Sequence, residues 1–190
     1  MIIIIDNYDS FTYNLVQYAS ETDKDIQVYK NDEISIEKIK ALNPSHIIIS
    51  PGPGRPENSR ISIAVINELK SDIPILGICL GHQAIGYVFK AEIINSKEIY
   101  HGKTSQIFHN EDSIFNDVPS PFDATRYHSL IIKKTSIPDS IDIIATTNDS
   151  DVMAIKHREH QLYGLQFHPE SILTNYGMKI ITNFLDEDKR

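Results

Sequence analysis

With 190 residues, 41% of them apolar and 23% charged, the sequence has material for one substantial core and lacks the bias of a disordered chain. Its formal charge of -8, without any dense Lys/Arg run, would repel a phosphate backbone, so no nucleic-acid partner is expected. No apolar run approaches the roughly 20 residues of a membrane helix, and the opening residues 1–5 are too short and lack the basic flank of a secretion signal, so no membrane association and a cytoplasmic location are expected.

Residues 2–5, four consecutive isoleucines, have the pattern of a strand covered on both faces. Ser10 is placed to cap a helix carrying Tyr13, Leu15, Val16 and Tyr18. Residues 26–29 read as a second strand, and 35–42 as a short helix with Ile36, Ile39 and Leu42 on one side. His46–Ile49 reads as a third strand, stopped by Pro51-Gly52-Pro53-Gly54, after which Ile61, Ala64, Val65 and Leu69 recur at helical spacing. Residues 74–78 form a fourth strand that runs into Cys79-Leu80-Gly81 and a helix to about residue 89. Such alternation predicts an α/β fold, a mostly parallel open sheet flanked by helices.

The second half changes character. Short strands are predicted near Ile93, Gln106, Thr125, Ile131, Ile143, Val152 and Tyr163, separated by Asn, Asp, Ser and Pro, and helical periodicity returns over 176–185. We expect an added small antiparallel sheet, then a last strand and helix returning to the parallel core. Without a repeat, low-complexity tract or linker, a single domain over residues 1–190 is expected.

The lone cysteine cannot form an internal disulfide, and multi-thiolate zinc sites are excluded. Such a thiol is either a small core residue or a reactive group. The setting favours reactivity, because Gly77-Ile78-Cys79-Leu80-Gly81 has the G-x-nucleophile-x-G form of a nucleophile elbow between strand and helix. Flanking glycines remove side chains that would clash as the chain turns, and the helix N-terminus presents free N–H groups to a developing anion.

A sulfur nucleophile needs a base and a group to orient it. His168-Pro169-Glu170 supplies both, with Pro169 stiffening the link. For this tripeptide alone, a solvated surface pair is the competing reading. Pro51-Gly52-Pro53-Gly54 ends at the same sheet edge, where ligand sites in parallel sheets gather. It reads as a loop stop or as the source of a Gly52 N–H that joins the Leu80 N–H in an oxyanion hole. No histidine pair shows metal-ligand spacing, and neither metal nor organic cofactor is expected.

Together these residues resemble the triad-type (class I) glutamine amidotransferases over nearly the whole chain. Gly77-Ile78-Cys79-Leu80-Gly81-His82-Gln83 is similar to that family's nucleophile turn, and Gln166-Phe167-His168-Pro169-Glu170-Ser171 to its His/Glu segment. The resemblance implies a flavodoxin-like fold, a catalytic triad of Cys79, His168 and Glu170, and L-glutamine as substrate. It puts glutamine recognition on Gly52, Pro53, Gly54, Leu80, Gln83, Ser129 and Leu130. Asp6-Asn7-Tyr8-Asp9-Ser10-Phe11-Thr12-Tyr13-Asn14-Leu15 and His101-Gly102-Lys103-Thr104-Ser105 are similar to subunits that feed ammonia to chorismate-using synthases. These are component II of anthranilate synthase (tryptophan) and of aminodeoxychorismate synthase (folate). The Lys103-Thr104-Ser105 stretch with Arg126-Tyr127-His128-Ser129-Leu130 leans toward the folate enzyme. The implied partner is a chorismate-binding component I in a hetero-oligomer, with residues 9–13 the candidate contact. Lys90-Ala91 departs from the Gly pair of many relatives, which leaves the turn after the elbow helix open. Two other classes fit the same residues: a stand-alone cysteine hydrolase of glutamyl substrates, and a non-catalytic regulatory module.

Overall fold

The computed structural model describes residues 1–22 and 25–187. The run of isoleucines is strand β1 (Ile2–Asp6), buried along its whole length. Then come α1 (Thr12–Ser20), β2 (Ile26–Lys30), α2 (Ile36–Leu42), β3 (His46–Ile49), α3 (Arg60–Leu69), β4 (Ile75–Ile78) and α4 (Leu80–Val88). Side chains alternate between faces of a strand, and the core divides accordingly. Ile2, Ile4, Ile48, Leu76 and Ile78 join Leu15, Ala19, Ile180 and Phe184 on one face. Ile3, Ile5, Ile47, Ile49 and Ile75 join Ile39, Val65, Leu69 and Ala84 on the other. A strand serving two cores has no polar face, and this explains the unbroken apolar runs.

The second half contributes β5 (Ile93–Asn95), β6 (Lys103–His109), β7 (Phe122–Arg126), β8 (Leu130–Ile132), β9 (Ile141–Thr147), β10 (Val152–His157), β11 (Leu162–Leu165) and α5 (Gly177–Asp186). The small antiparallel sheet is the pair β5–β8. The other strands do not stack as a layer; they lengthen the main sheet, whose order is β2-β1-β3-β4-β11-β10-β9-β6-β7. From β2 to β11 the neighbours are parallel, and from β11 to β7 they are antiparallel. The antiparallel half curls back, because Thr125 near the end of edge strand β7 bridges His168, just beyond β11.

Two local expectations are corrected or answered. Ser10 does not cap α1. The helix begins at Thr12 with no side-chain cap bond, and the aspartates hold the turn instead: Phe11 N–H donates to Asp9 Oδ2 at 2.8 Å, while Asp9 N–H and the Thr12 hydroxyl both donate to Asp6 Oδ1. The turn after α4 forms without a glycine, because Lys90 adopts φ +68° and its N–H reaches the Tyr87 carbonyl at 3.0 Å. The left-handed backbone costs a lysine about 1 kcal/mol that glycine would not lose.

Candidate active site

Cys79 stands between the last residue of β4 and the first of α4, with φ 52° and ψ -95°. A non-glycine residue in this region carries about 1–3 kcal/mol of backbone strain. Neighbouring close contacts maintain it. A Cβ on Gly77 would lie 2.5 Å from the Gly81 carbonyl, and one on Gly81 would lie 2.8 Å from the Ile49 oxygen. Both flanking glycines are therefore required by backbone approach. Cys79 N–H donates to the Leu165 carbonyl at 2.7 Å, tying the turn to β11. The residue is 6% exposed.

His168 and Glu170 are both buried, and a ring nitrogen, Nδ1, meets Glu170 Oε1 at 2.6 Å. A protonated ring donates that bond as a charge-assisted one. The His168 backbone N–H donates to the Thr125 carbonyl at 2.9 Å, and its own carbonyl accepts from the Thr174 hydroxyl at 2.7 Å. Burial lowers the His168 pKa, but the Glu170 charge and the interactions with Cys79 outweigh it and hold the ring well above the ordinary histidine value. Asp9 shares this field: burial raises its carboxyl, the Phe11 N–H opposes the rise, and His168 and Glu170 act on it with opposite signs. Its place beside the triad was not foreseen from the sequence.

Beside Cys79 lies a cavity of about 180 Å³. Gly52, Pro53 and Gly54 line it from the loop after β3, Leu80 and Gln83 from α4, and Ser129 and Leu130 from the start of β8. Each residue expected to recognise substrate thus faces one space. Tyr127 and His128 complete the lining, and sequence reasoning singled out neither. The Tyr127 ring stands edge-on to His168, centroids 5.1 Å apart. A second cavity of about 110 Å³ lies at the opposite ends of β4 and β11, near Pro74 and Gln161, and holds no triad residue.

Gln83 serves as a strut. Its Nε2 donates to the Leu130 carbonyl at 3.0 Å and to Gln166 Oε1 at 3.2 Å, and Gln166 Nε2 in turn approaches Cys79 Sγ at 3.7 Å. His128 props the same carbonyl from behind: Nδ1–H donates to Leu130 O at 3.0 Å, while Nε2 accepts from Arg126 Nε at 3.0 Å. Arg126, 2% exposed, pairs with Asp151 at 2.7 Å and lies 3.4 Å over the Tyr100 ring. The immediate context of His128 gave no hint of this, because Arg126, which holds its ring, is itself anchored by Asp151, 25 residues farther along the chain.

His82 and His128 are held neutral. Burial lowers both to about 3, with the Arg126 charge adding to the effect at His128. The unfolded chain binds protons at these positions below about pH 6.5, whereas the native state does not until near pH 3. Stability is therefore lost as pH falls through that window, by about 1.4 kcal/mol per pH unit for each histidine. Urea unfolding at pH 6.5 and 5 should show this slope, and a flat profile would contradict it. His168 has the opposite sign: its contribution is complete below about pH 6.5 and fades as pH rises through its elevated native value.

Among the described residues, no three His, Cys, Asp or Glu side chains gather as metal ligands, and no helix is long and apolar enough to cross a membrane. The family profile of the class-I glutamine amidotransferases matches residues 3–187. The chain belongs to this family. Among relatives of this glutamine amidotransferase chain, anthranilate synthase component 2 of Pyropia yezoensis is 55% identical, with 98% of this chain aligned to 99% of that one. The bifunctional protein TrpGD of Thermotoga maritima is 52% identical over 97% of this chain, which spans 32% of that longer protein. The aminodeoxychorismate/anthranilate synthase component 2 of Bacillus subtilis is 45% identical, covering 98% of this chain and 96% of its own. A solved glutamine amidotransferase of Thermotoga maritima shares the fold, with TM-score 0.80 at 15% identity over 97% of this chain and 95% of that one.

Proposed function

We propose that Cys79, His168 and Glu170 hydrolyse the side-chain amide of L-glutamine, and that the ammonia passes to a chorismate-using synthase subunit. The observation carrying this reading is the His168–Glu170 contact beside an elbow cysteine whose adjoining cavity takes all the expected recognition residues. The Cys79 thiolate attacks the amide carbon, forming a C–S bond and an oxyanion that the Leu80 and Gly52 N–H groups accommodate. Protonated His168 gives its proton to the departing nitrogen, the C–N bond breaks, and ammonia leaves. Water then attacks the glutamyl thioester carbon, giving up a proton to His168 and forming a C–O bond; the C–S bond breaks, the Cys79 thiolate returns, and glutamate departs. Glu170 keeps the ring oriented throughout and favours its cationic form. The Glu170 charge and the interactions with Cys79, which outweigh the cost of burial, explain how the ring remains an acid at neutral pH.

Free ammonia is protonated in neutral water and loses its nucleophilicity, so release must face an acceptor. The exposed Tyr8, Phe11 and Tyr13 support the segment after β1 as that contact, and the Phe11 ring lies 5.6 Å from that of Tyr127, the neighbour of His168. The relatives' names support tryptophan or folate synthesis as the destination, with anthranilate synthase more strongly represented than the folate-leaning motif suggested. Glutaminase activity of the purified chain, assayed with and without a chorismate-using component I, tests the reading. We expect glutamine-dependent product with the partner and weak turnover without it. Rapid turnover alone, with no product from any such partner, would instead establish a stand-alone hydrolase.

A further inference from the structure

Between Asp6, which holds the turn before α1, and the outward-facing Tyr8, Asn7 is 2% exposed and turned inward. Its backbone N–H donates to Ser50 Oγ at 2.9 Å and its Nδ2 to the Ser50 carbonyl at 3.0 Å. The other end of the amide is also engaged: Oδ1 accepts from Asn31 Nδ2 at 3.1 Å and from the Ser62 hydroxyl at 3.3 Å. One side chain thus ties the residue after β3 to the loop after β2 and to helix α3. Two residues beyond Ser50, the chain packs directly on this anchor. A Cβ at Gly52 would lie 2.5 Å from Asn7 Cβ, 2.6 Å from Asn7 O and 3.0 Å from Leu80 Cδ2. Gly52 is clamped between Asn7 and Leu80, and Leu80 carries the second oxyanion donor of the reading above.

We infer that Asn7 is a positioning residue that sets the Gly52 backbone for the oxyanion formed at the glutamine amide carbon. This rests on the proposed glutaminase reading and assigns the clamp within it. The amide is suited to the task because one end must donate to a carbonyl while the other accepts. Aspartate has the same shape but would set a carboxylate oxygen against the Ser50 carbonyl. Preorganised donors aid catalysis only at the correct distance, and a displacement of about 1 Å can cost about 10²-fold in rate.

The test is Asn7→Asp, assayed as glutaminase with the partner subunit present and checked for folding by circular dichroism. We expect kcat to fall about 10²-fold with KM little changed. Alkylation of Cys79 by iodoacetamide, a displacement that develops no oxyanion, should keep its wild-type rate. Wild-type kcat in folded Asn7→Asp, with Cys79→Ala inactive, overturns the role of Asn7 alone. Full activity in Cys79→Ala overturns the glutaminase reading beneath it. Parallel loss of turnover and alkylation overturns positioning in favour of a general structural role. If Asn7→Asp does not fold, Ser50→Ala removes the acceptor of the Asn7 N–H and leaves the amide in place. It should lower kcat about 10-fold at unchanged alkylation rate, a smaller displacement of the same donor, and an undiminished kcat would overturn the inference.

Discussion

Replacing Cys79 with alanine should reduce glutamine-dependent ammonia release by at least about 10⁴-fold, since a triad without its nucleophile retains only binding and oxyanion stabilisation. The protein should remain folded. Cys79 has a left-handed backbone that alanine tolerates no worse, and its sulfur is a small part of a core shared with Leu76, Ile78 and Phe167. Ammonium salts should still support product formation when a synthase subunit is added, because the alanine variant loses only the source of nitrogen. Retained glutaminase activity in the purified Cys79→Ala variant would refute the proposed chemistry outright.

Asp151→Ala should cost about 3 kcal/mol of stability and raise the KM for glutamine. The pair it breaks is nearly dry on one side, with Arg126 2% and Asp151 17% exposed, and removing one partner leaves a buried guanidinium uncompensated. The partial exposure of Asp151 places the cost at the lower end of the range for such changes. The effect on substrate follows from connectivity. Arg126 fixes His128, His128 holds the Leu130 carbonyl, and Gln83 shares that carbonyl on the cavity wall. Urea denaturation and glutamine saturation curves read the two effects separately. A loss below about 1 kcal/mol together with an unchanged KM would show that the relay does not support the pocket.

The parts of the molecule legible from sequence are those written in consecutive residues. Cys79 with its two glycines is a local steric statement, and so is the His168-Pro169-Glu170 pair, whose partners lie two positions apart. The parallel strands were legible because burial on both faces leaves continuous isoleucine runs. Strand pairing in the second half was not, since joining β9 to β6 brings Ile107 opposite Thr147 with no pattern in either strand to announce it. Arg126 and Asp151 are 25 residues apart, and Asn7 and Ser50 are 43 apart. No window of sequence contains either pair. The Ser10 expectation failed for a related reason: two aspartates nearby compete for the same turn, and composition alone does not rank them.

The return of β7 to the residues beyond β11 has a consequence for how the molecule would fail. His168 hangs from the Thr125 carbonyl, while Cys79 is fixed to the parallel half through Leu165. Cys79 is thus held to β11, and His168, three residues beyond that strand, is held in addition to β7, so their mutual distance depends on that closure. Edge strands fray at free energies far below global unfolding. When this one does, the chain keeps its helices, its parallel strands and its cysteine, yet the proton donor has swung away. Heat or denaturant should thus silence ammonia release before the far-ultraviolet signal moves, and cooling should restore it without refolding of the core.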